Sequence, residues 1–373
     1  LGASPAITSV FAATAAHLSV FCGRISFVLG LQGACMSSDT ACSSSLVATH
    51  SAVRALQRVE CTSALACGTN MMYSLMSNIG SAVAGMTSRR GRSHTFDERA
   101  DGYARGEACG SAALQLAEPS DDSSIRVSIH GCAVRQDGRS ASLTAPNGQA
   151  QQALLRATLA DAGIAAAEMV VLEAHGTGTS LGDPIEAGSL AAVVLAKRGV
   201  DEVLAVGSGK ANVGHTEPAA GMTGIVRLAS ALAHGLGTPN AQLRVLNPHV
   251  EAAVGGLPCA MLTQCAVLGT SGAGGVSSFG YSGTIAHTVL RALPHALSED
   301  HHAAVGFQRR RFAWSEPAHP LVQSRLSQSD GGDTIYRSTN LDTVRSLVAD
   351  HIVQGSILMP GAGYLEMGRA LLA

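Results

Sequence analysis

The sequence predicts an α/β fold in which helices cover a mostly parallel sheet. From Ile125 onwards, short apolar runs with strand character alternate with longer segments whose apolar residues recur at helical spacing. Glycine-rich turns separate these segments, and glycine accounts for 42 of the 373 residues. Because a crossover between parallel strands normally contains a helix, this alternation is typical of a parallel sheet with helices on its faces.

The first section, residues 1–118, contains fewer elements of this kind. The stretch "SLVATHSAVRALQRV" (45–59) has apolar residues at helical spacing and predicts a helix, and "MSSDTA", which ends at Ala41, has strand character. The stretch "ACGSAALQLAE" (108–118) follows a glycine turn and predicts a strand. A polar loop, "PSDDSS", follows it.

The second section, residues 119–290, carries the regular alternation. Its predicted elements are, in chain order, the strand "IRVSIHGCAV", the helix "GQAQQALLRATLADAGI", the strand "EMVVLEAHGTGT", the helix "DPIEAGSLAAVVLAKRG", the strand "VLAVGSGKANVGH" and the helix "AAGMTGIVRLASALAHGLG". The first helix ends at a glycine and the second has a proline near its start, which are the positions that these residues favour. The stretch "GGVSSFGYSGTIAHTVLRAL" then predicts a glycine-rich turn and a last strand.

The composition excludes several functional classes. A formal net charge of −2 and an aromatic content of 3% give no basis for binding nucleic acid or an anionic membrane. No apolar run reaches the roughly 18 residues that a membrane helix needs. Nine cysteines without a C-x-x-C pair argue against a disulfide framework and against a metal site. Free thiols at this density indicate a reducing compartment, so we expect a cytoplasmic protein.

Cys42 stands in "DTACSSSL", between a strand-like and a helical segment. A cysteine is most often a small buried hydrophobe. Here a predicted helix begins just after the thiol, so free backbone N–H groups and the positive end of the helix would favour the thiolate and lower the pKa of Cys42. The hydroxyls of Ser43, Ser44 and Ser45 can supply local hydrogen bonds. Cys42 is therefore a candidate nucleophile.

Two histidines stand in glycine-rich turns at predicted strand ends. His175 lies in "EAHGTGTSLGDP" and His215 in "GKANVGHTEPAAG". A single histidine is more often structural, but ligands of α/β sheets bind where strands end, and glycines let a substrate approach the backbone there. Thr177 and Thr179 add hydroxyls to the first turn. A third turn, "SSFGYSGTIAH", contains Phe279, and its backbone N–H groups can stabilise an oxyanion.

One cysteine with two histidines suits acyl transfer followed by a step that develops enolate charge. A thiolate can take an acyl group from a thioester, while histidines polarise the carbonyl of a second thioester that loses carbon dioxide. The resulting carbanion would attack the acyl-enzyme, which is a decarboxylative Claisen condensation. A cysteine protease would instead need one histidine and an orienting carboxamide.

The motifs "DTACSSSL", "EAHGTGTSLGDPIEAG", "KANVGHTEPAAG" and "SSFGYSGTIAH" together resemble the β-ketoacyl synthase (ketosynthase) domain of type I polyketide and fatty-acid synthases. The stretches "CGRISFVLGLQG" and "DERADGYARGEACGSAAL" are similar to further signatures of that family, and the resemblance covers roughly residues 1–290. It implies a thiolase-like αβαβα sandwich, truncated at its N-terminus, and a homodimer. It also implies that the ketosynthase binds no cofactor, because the phosphopantetheine arm belongs to its partner, an acyl carrier protein.

The resemblance assigns a role to each candidate residue by motif. Cys42 would be the acyl-accepting nucleophile, and His175 and His215 would be the decarboxylation and oxyanion histidines. Lys210 would support His215, together with Glu217. In the family a substantial segment precedes "CGRISF", so we expect that the chain as given cannot build a complete condensing domain, and organellar targeting stays open.

The remaining site residues and two departures follow from the same motifs. Thr177 and Thr179 would lie along the phosphopantetheine arm, and Phe279 would line the site near the acyl chain. The family has asparagine where this chain has Ile285, and alanine where it has Pro218. Loss of the asparagine side-chain hydrogen bond is expected to loosen the glycine turn.

The composition becomes polar after Leu293 and predicts a linker over residues 291–318. Residues 319–373 resemble the start of a polyketide-synthase dehydratase domain, through "HPLV" and the H-x-x-x-G-x-x-x-x-P pattern of "DHIVQGSILMPGAGYLEM". This resemblance implies the beginning of an α+β hot-dog fold, with His351 as the base that removes the α-proton of a β-hydroxyacyl thioester. The alternative is that His351 is a turn residue. The carboxylate partner comes later in that family, so we expect this unit to be inactive alone.

Only the linker lies between the two resemblances, where many such synthases carry an acyltransferase. We therefore expect a malonyl acyltransferase to act in trans or from elsewhere in the parent chain. Two alternatives stay open. The ketosynthase would pass acyl chains through Cys42 without elongating them, or the chain would be an inactive fragment that serves as a structural or docking piece.

Overall fold

The computed structural model describes residue 14 and residues 17–117, 127–269, 272–293, 319–325, 335–338 and 341–372. The chain forms two compact units, Leu1–Asp300 and His301–Ala373. Residues 294–318 of the predicted linker lie outside the described residues.

The larger unit alternates strands and helices along most of its length. Its strands are β1 (Ser63–Asn70), β2 (Ala108–Gln115), β3 (Val127–Gln136), β4 (Met169–Glu173), β5 (Leu204–Gly207), β6 (Leu236–Gly237), β7 (Cys259–Met261), β8 (Ala266–Val267), β9 (Ala273–Phe279) and β10 (Thr284–Ala292). Its helices are α1 (Leu18–Leu29), α2 (Ser44–Gln57), α3 (Leu75–Val83), α4 (Gly148–Ala162), α5 (Gly182–Leu190), α6 (Lys210–Val213), α7 (Ala220–His234) and α8 (Pro248–Val254).

One mixed sheet forms the centre of this unit, with the strand order β3-β10-β9-β4-β5-β7. The strands from β9 to β7 run parallel, whereas β10 is antiparallel to both of its neighbours. The predicted α/β sheet is therefore confirmed. Three of the five strand pairings are parallel, and the two antiparallel ones both involve β10, because the β9–β10 hairpin reverses the chain direction.

The β9–β10 hairpin replaces what the sequence predicts as a turn and one strand. The stretch "GGVSSF" is itself part of a strand, β9. Glycine is required there by close packing, since a Cβ on Gly274 would lie 2.5 Å from Leu228 Cδ1 and one on Gly275 would lie 2.7 Å from His287 Nε2. Glycines inside a strand indicate that neighbouring groups approach closely, but in a sequence glycines predict a turn.

Helix α4 shows why the predicted helices begin and end where they do. Asn147 Oδ1 accepts the N–H groups of Gln149 at 3.0 Å and Ala150 at 3.4 Å, which caps the start of the helix. Gly163 ends it in the left-handed conformation, with φ at 65°. The predicted helix with its glycine cap is thus confirmed. Helix α7 likewise lies within a predicted helix, and α2 and α5 each begin one residue before theirs.

Helices cover both faces of the sheet. Successive strand residues point to opposite faces, and the neighbours Leu172 and Val171 of β4 belong to two different hydrophobic clusters. The first cluster contains buried residues of α4 and α5, including Leu190. The second contains residues of α2 and α7, including Leu46 and Leu228. The carboxyl ends of β4 and β5 are thereby held at one edge between two layers of helices.

The N-terminal part of the unit departs from expectation next to the nucleophile candidate. The strand-like stretch "MSSDTA" is not a strand, since Thr40 forms only an isolated bridge with Cys42. Strands β1 and β2 pair antiparallel as a separate two-stranded sheet.

Helices α1 and α3 bury no residue, and Phe27 and Met76 are 89% and 74% exposed. These two helices therefore present apolar side chains at the surface.

Within its described residues, the smaller unit contains two short antiparallel strand pairs and two helices. Its described elements are β11 (Ser324–Arg325), β12 (Tyr336–Arg337), α9 (Leu341–Val348), β13 (Ile352–Val353), β14 (Ser356–Ile357) and α10 (Gly361–Leu372). β11 pairs with β12, and β13 with β14, both antiparallel. Within the described ranges of both units, no helix has the length and apolar character needed to cross a membrane.

Replacing Gly221 with alanine is expected to destabilise the larger unit by about 1–3 kcal/mol. A Cβ there would lie 2.5 Å from Leu46 Cγ and 3.0 Å from Leu46 N, where α7 crosses α2. The matched control is Gly188→Ala in α5, because a Cβ at Gly188 has nothing within 4 Å. The control should keep or raise stability. Denaturant unfolding compares the two variants, and unchanged stability of Gly221→Ala would contradict the tight helix contact.

Candidate active site

Cys42 lies just before α2, within a turn held by hydroxyl groups. Its side chain is 8% exposed. Ser44 Oγ accepts the N–H of Thr40 at 2.9 Å and donates to the carbonyl of Ala41 at 2.6 Å. Ser278 Oγ, from β9, donates to the carbonyl of Cys42 at 2.5 Å. The local hydrogen bonds expected from the serines are present, and they hold a turn in which Ala41 has φ at 54°.

His215 contacts the thiol directly. Its Nε2 lies 3.0 Å from Cys42 Sγ, and its Nδ1 accepts the N–H of Glu217 at 3.2 Å. A neutral imidazole that accepts at one nitrogen carries its proton on the other, so Nε2–H faces the sulfur. Burial, followed by the charges of Lys210 and Arg105, holds the pKa of His215 well below its usual value. The ring is therefore a neutral hydrogen-bond donor.

His175 follows β4 and is the third member of this group. Its ring centroid lies 5.7 Å from that of His215 and 5.2 Å from that of Phe279. Its Nδ1 accepts the N–H of Phe279 at 3.2 Å, which again leaves the proton on Nε2. Burial, then Lys210 and His215, hold the pKa of His175 well below its usual value. The structure thus brings together the thiol and both imidazoles that the sequence singles out.

Two carboxylates of α5 hold the loop that carries His175. Glu186 accepts the N–H groups of His175 and Gly176, both at 2.8 Å, and Asp183 accepts that of Gly178 at 3.1 Å. Burial raises the pKa of Glu186 to about 7 and that of Asp183 to about 6. The sequence reading gave these residues no role. Their spacing of three on a helix that directly follows the histidine turn was the available signal.

Thr177 and Thr179 lie in the same loop. Their hydroxyl oxygens are 3.3 Å apart, and Thr179 Oγ1 accepts the N–H of Gly182 at 3.1 Å. Gly178 between them has φ at 78°, and a Cβ on it would lie 2.7 Å from His94 N. The two hydroxyls are therefore part of a fixed loop, and their role along a carrier arm stays a prediction.

Lys210 is buried, with 7% exposed, at the start of α6. Burial lowers its pKa, while the nearby Glu173, Glu186 and Cys42 raise it. Its positive charge in turn lowers the pKa values of both histidines and of the thiol. Lys210 thus acts on the group by its charge, and its specific support of His215 stays a prediction.

Glu217 contacts His215 through its main chain. Its carboxylate forms a two-bond ion pair with Arg105, with N–O distances of 2.7 Å and 2.7 Å. Only the backbone N–H of Glu217 reaches the ring of His215. Arg105 stands in the motif "DERADGYARGEACGSAAL", but the sequence reading gave it no role, because its partner lies far along the chain.

The expected lowering of the Cys42 pKa is wrong, because burial raises the pKa to about 12. Lys210 and the backbone N–H groups of Cys42 and Tyr281 act in the opposite direction, but desolvation of the thiolate dominates. A helix start can be read from sequence spacing, whereas the burial that other segments impose cannot. Tyr281 belongs to the turn that was expected to supply backbone N–H donors.

The two departures from the family pattern are accommodated locally. Ile285 is 1% exposed and pairs with Phe279 across the hairpin. The N–H of Gly280 donates to the carbonyl of Thr284 at 2.8 Å, so a main-chain hydrogen bond closes the turn, and the expected loosening stays a prediction. Pro218 lies in the first positions of a short 3-10 turn, where its missing N–H is tolerated.

His351 belongs to the smaller unit. It is exposed, and its Nδ1 donates to the carbonyl of Leu358 at 2.8 Å, across the β13–β14 hairpin. The neutral ring therefore has an unprotonated Nε2. This geometry is compatible with a base and equally with the turn residue that was the alternative reading, so the role of His351 stays a prediction.

A buried thiol thus lies beside two neutral imidazoles, next to a sheet that is covered by helices. Residues 3–120 and 127–244 match the N-terminal and C-terminal domain models of β-ketoacyl synthase, and residues 319–373 match the polyketide synthase dehydratase domain model. The chain belongs to the β-ketoacyl synthase family of type I polyketide synthases, and a dehydratase segment follows the ketosynthase.

Relatives and solved structures agree with this assignment. Mycoketide-CoA synthase of Mycobacterium tuberculosis is 40% identical over 320 residues, which are 83% of this chain and 7% of that protein. A spectinabilin polyketide synthase system protein of Streptomyces orinoci is 42% identical over 287 residues, which are 76% of this chain and 8% of that protein. The chain therefore spans a small part of these curated relatives.

The solved ketosynthase from module 6 of the bacillaene synthase of Bacillus subtilis is 34% identical, with a TM-score of 0.70, and the match covers 74% of this chain and 50% of that chain. The oxazolomycin ketosynthase domain of Streptomyces albus gives a TM-score of 0.71 at 30% identity, with 75% of this chain and 50% of that chain covered. The predicted family and the thiolase-like fold are thus confirmed.

Alkylation of Cys42 by iodoacetamide is expected to be slow at neutral pH and to rise through the alkaline range, because the pKa of the thiol is raised to about 12. Only the thiolate reacts, so the rate should rise about tenfold per pH unit below that pKa. Lys210→Met removes a charge that lowers this pKa and should slow alkylation at each pH. Peptide mass spectrometry measures Cys42, with exposed Cys265 in the same digest as the reagent control. A rate that levels off below about pH 9 would contradict the dominance of burial.

Proposed function

We propose that this chain supplies the ketosynthase that joins an acyl thioester to a malonyl thioester in a polyketide or fatty-acid synthase. The observation that carries the proposal is the contact of 3.0 Å between Cys42 Sγ and His215 Nε2, with the ring of His175 5.7 Å from that of His215. The Cys42 sulfur and the N–H groups of two imidazoles therefore lie close together. This set suits a reaction that needs both a covalent acyl carrier and a stabilised enolate.

The first step is acyl transfer. The sulfur of Cys42 attacks the carbonyl carbon of the acyl thioester, the bond from that carbon to the carrier sulfur breaks, and the thiol proton leaves with the carrier thiol. The backbone N–H groups of Cys42 and Tyr281 act on the sulfur in the resting site, so they lie near the oxyanion that forms on the attacked carbon. The charge of Lys210 favours the thiolate that attacks.

The second step is decarboxylation of the malonyl thioester. The Nε2–H groups of His175 and His215 donate to its carbonyl oxygen, the bond to the carboxylate carbon breaks, carbon dioxide leaves, and the electron pair forms an enolate. Both imidazoles are neutral because their pKa values are held low, so they stabilise the enolate by hydrogen bonding. The enolate carbon then attacks the acyl group on Cys42, whose sulfur leaves as a thiolate.

Partners follow from the same chemistry. The substrates arrive on the phosphopantetheine arm of an acyl carrier protein, along the loop of Thr177 and Thr179, and Phe279 lies where the acyl chain would enter, 5.2 Å from the ring of His175. The ketosynthase itself binds no cofactor. Malonyl groups come from an acyltransferase in trans or elsewhere in the parent chain. Exposed apolar residues of α1 and α3 suit a homodimer, and nine free cysteines suit the cytoplasm.

The domain division remains part of the proposal. The two condensing halves, the linker and the dehydratase start occupy residues 1–118, 119–290, 291–318 and 319–373. In the last of these, His351 would remove the α-proton through its unprotonated Nε2.

Carrier protein loaded with an acyl or a malonyl group tests the proposal on the intact protein. Cys42→Ala is expected to reduce self-acylation and condensation by about a thousandfold or more, since no other group forms the thioester. His175→Ala is expected to leave self-acylation in place and to reduce release of carbon dioxide by about a hundredfold. Intact-protein mass spectrometry, carbon dioxide release and product chromatography measure the three events.

Cys265→Ala, which removes an exposed thiol, is the matched control and should keep all three rates. Self-acylation without condensed product would indicate the non-elongating alternative. A protein whose Cys42 never becomes acylated would be left with a docking or structural role.

A further inference from the structure

Arg105 connects three segments of the larger unit through its guanidinium group. Its Nε and Nη2 donate to the two carboxylate oxygens of Glu217, each at 2.7 Å. Nη1 donates to Asn78 Oδ1 at 2.7 Å and Nη2 to Ser77 Oγ at 3.2 Å, both on α3. The side chains of Arg105 and Glu217 are only 10% and 15% exposed. A two-bond pair in such a place fixes both position and orientation.

Glu217 is held in a conformation that glutamate rarely adopts. Its φ is 46°, in the left-handed region, which is strained for a non-glycine residue and persists only when neighbours impose it. In this conformation its N–H donates to His215 Nδ1 at 3.2 Å. The main chain around Arg105 also brackets the histidine, because His215 N–H donates to the carbonyl of Ala104 at 2.6 Å and Gly106 N–H to that of His215 at 2.8 Å.

This arrangement decides which nitrogen of His215 carries the proton. As long as Glu217 N–H occupies Nδ1, the proton of the neutral ring sits on Nε2, 3.0 Å from Cys42 Sγ. Among the described residues, the Glu217 carboxylate bonds only to Arg105, so the strained backbone can relax if that partner is lost. Nδ1 then loses its donor and can take the proton, and Nε2 becomes an acceptor that cannot stabilise an oxyanion.

We propose that Arg105 is a positioning residue for His215. Its two hydrogen bonds to the Glu217 carboxylate keep the imidazole in the tautomer that presents Nε2–H to Cys42. The tautomer assignment is independent of any activity. Its consequence for decarboxylation rests on the function proposed above. Arg105 itself touches neither the thiol nor the place where a thioester would react.

The decisive experiment is ¹⁵N NMR of histidine side chains in the 373-residue chain. His215 should show the Nε2–H pattern in the unchanged protein, and Arg105→Gln should add the Nδ1–H pattern. Arg105→Lys keeps the charge but not the two-bond fork, so it should show the same change and serves if the glutamine variant fails to fold. The matched control is Arg291→Gln, which removes a more exposed Arg–Glu pair with Glu168 and should leave the His215 pattern unchanged.

The same variants are assayed for carbon dioxide release from malonyl carrier protein, where Arg105→Gln should lose about tenfold to a hundredfold. An unchanged Nε2–H pattern in folded Arg105 variants would overturn the proposal. A changed pattern with full decarboxylation would overturn its catalytic part. If the unchanged protein releases no carbon dioxide, the function proposed above fails, while the spectra still decide the role of Arg105.

Discussion

The site depends on two hydrogen bonds from backbone N–H groups to imidazole nitrogens. Phe279 donates to Nδ1 of His175, and Glu217 donates to Nδ1 of His215. Each bond places the ring proton on Nε2, and burial keeps both rings neutral by lowering their pKa values. The two histidines are therefore donors rather than bases. The first donor lies in β9 and the second in a turn after α6. The backbone therefore determines which nitrogen of each imidazole carries the proton.

The buried carboxylates around the site are tolerated because each one accepts backbone N–H groups. Glu173 accepts that of Gly209 at 2.6 Å and pairs with Arg227, and Glu186 accepts two from the histidine loop. A buried charge without such partners would cost several kcal/mol. The same carboxylates surround Lys210 with negative charge, which offsets part of the burial that lowers its pKa. Glu186 therefore both holds the loop that carries His175 and contributes negative charge near Lys210.

Sequence reasoning was sufficient where the signal is local. The apolar spacing of α7 and the glycine that ends α4 place those helices, and the position of His175 at a strand end predicts that it lies in a site. Sequence reasoning failed where residues from distant segments determine the packing, the pKa or the hydrogen-bond partner. The glycines of β9 stand where another element packs closely, and the Cys42 pKa depends on burial by several segments. Arg105 meets Glu217 across 112 residues of chain, a separation that no periodicity or spacing reveals.

The turn around Cys42 is completed by the hairpin at the other end of the larger unit. The Ser278 hydroxyl that bonds to the Cys42 carbonyl lies 236 residues further along the chain. During translation, the thiol therefore leaves the ribosome long before the segment that encloses it has been made. The hydrogen bond that Ser278 donates to the Cys42 carbonyl can therefore form only after β9 has been synthesised and has joined the sheet.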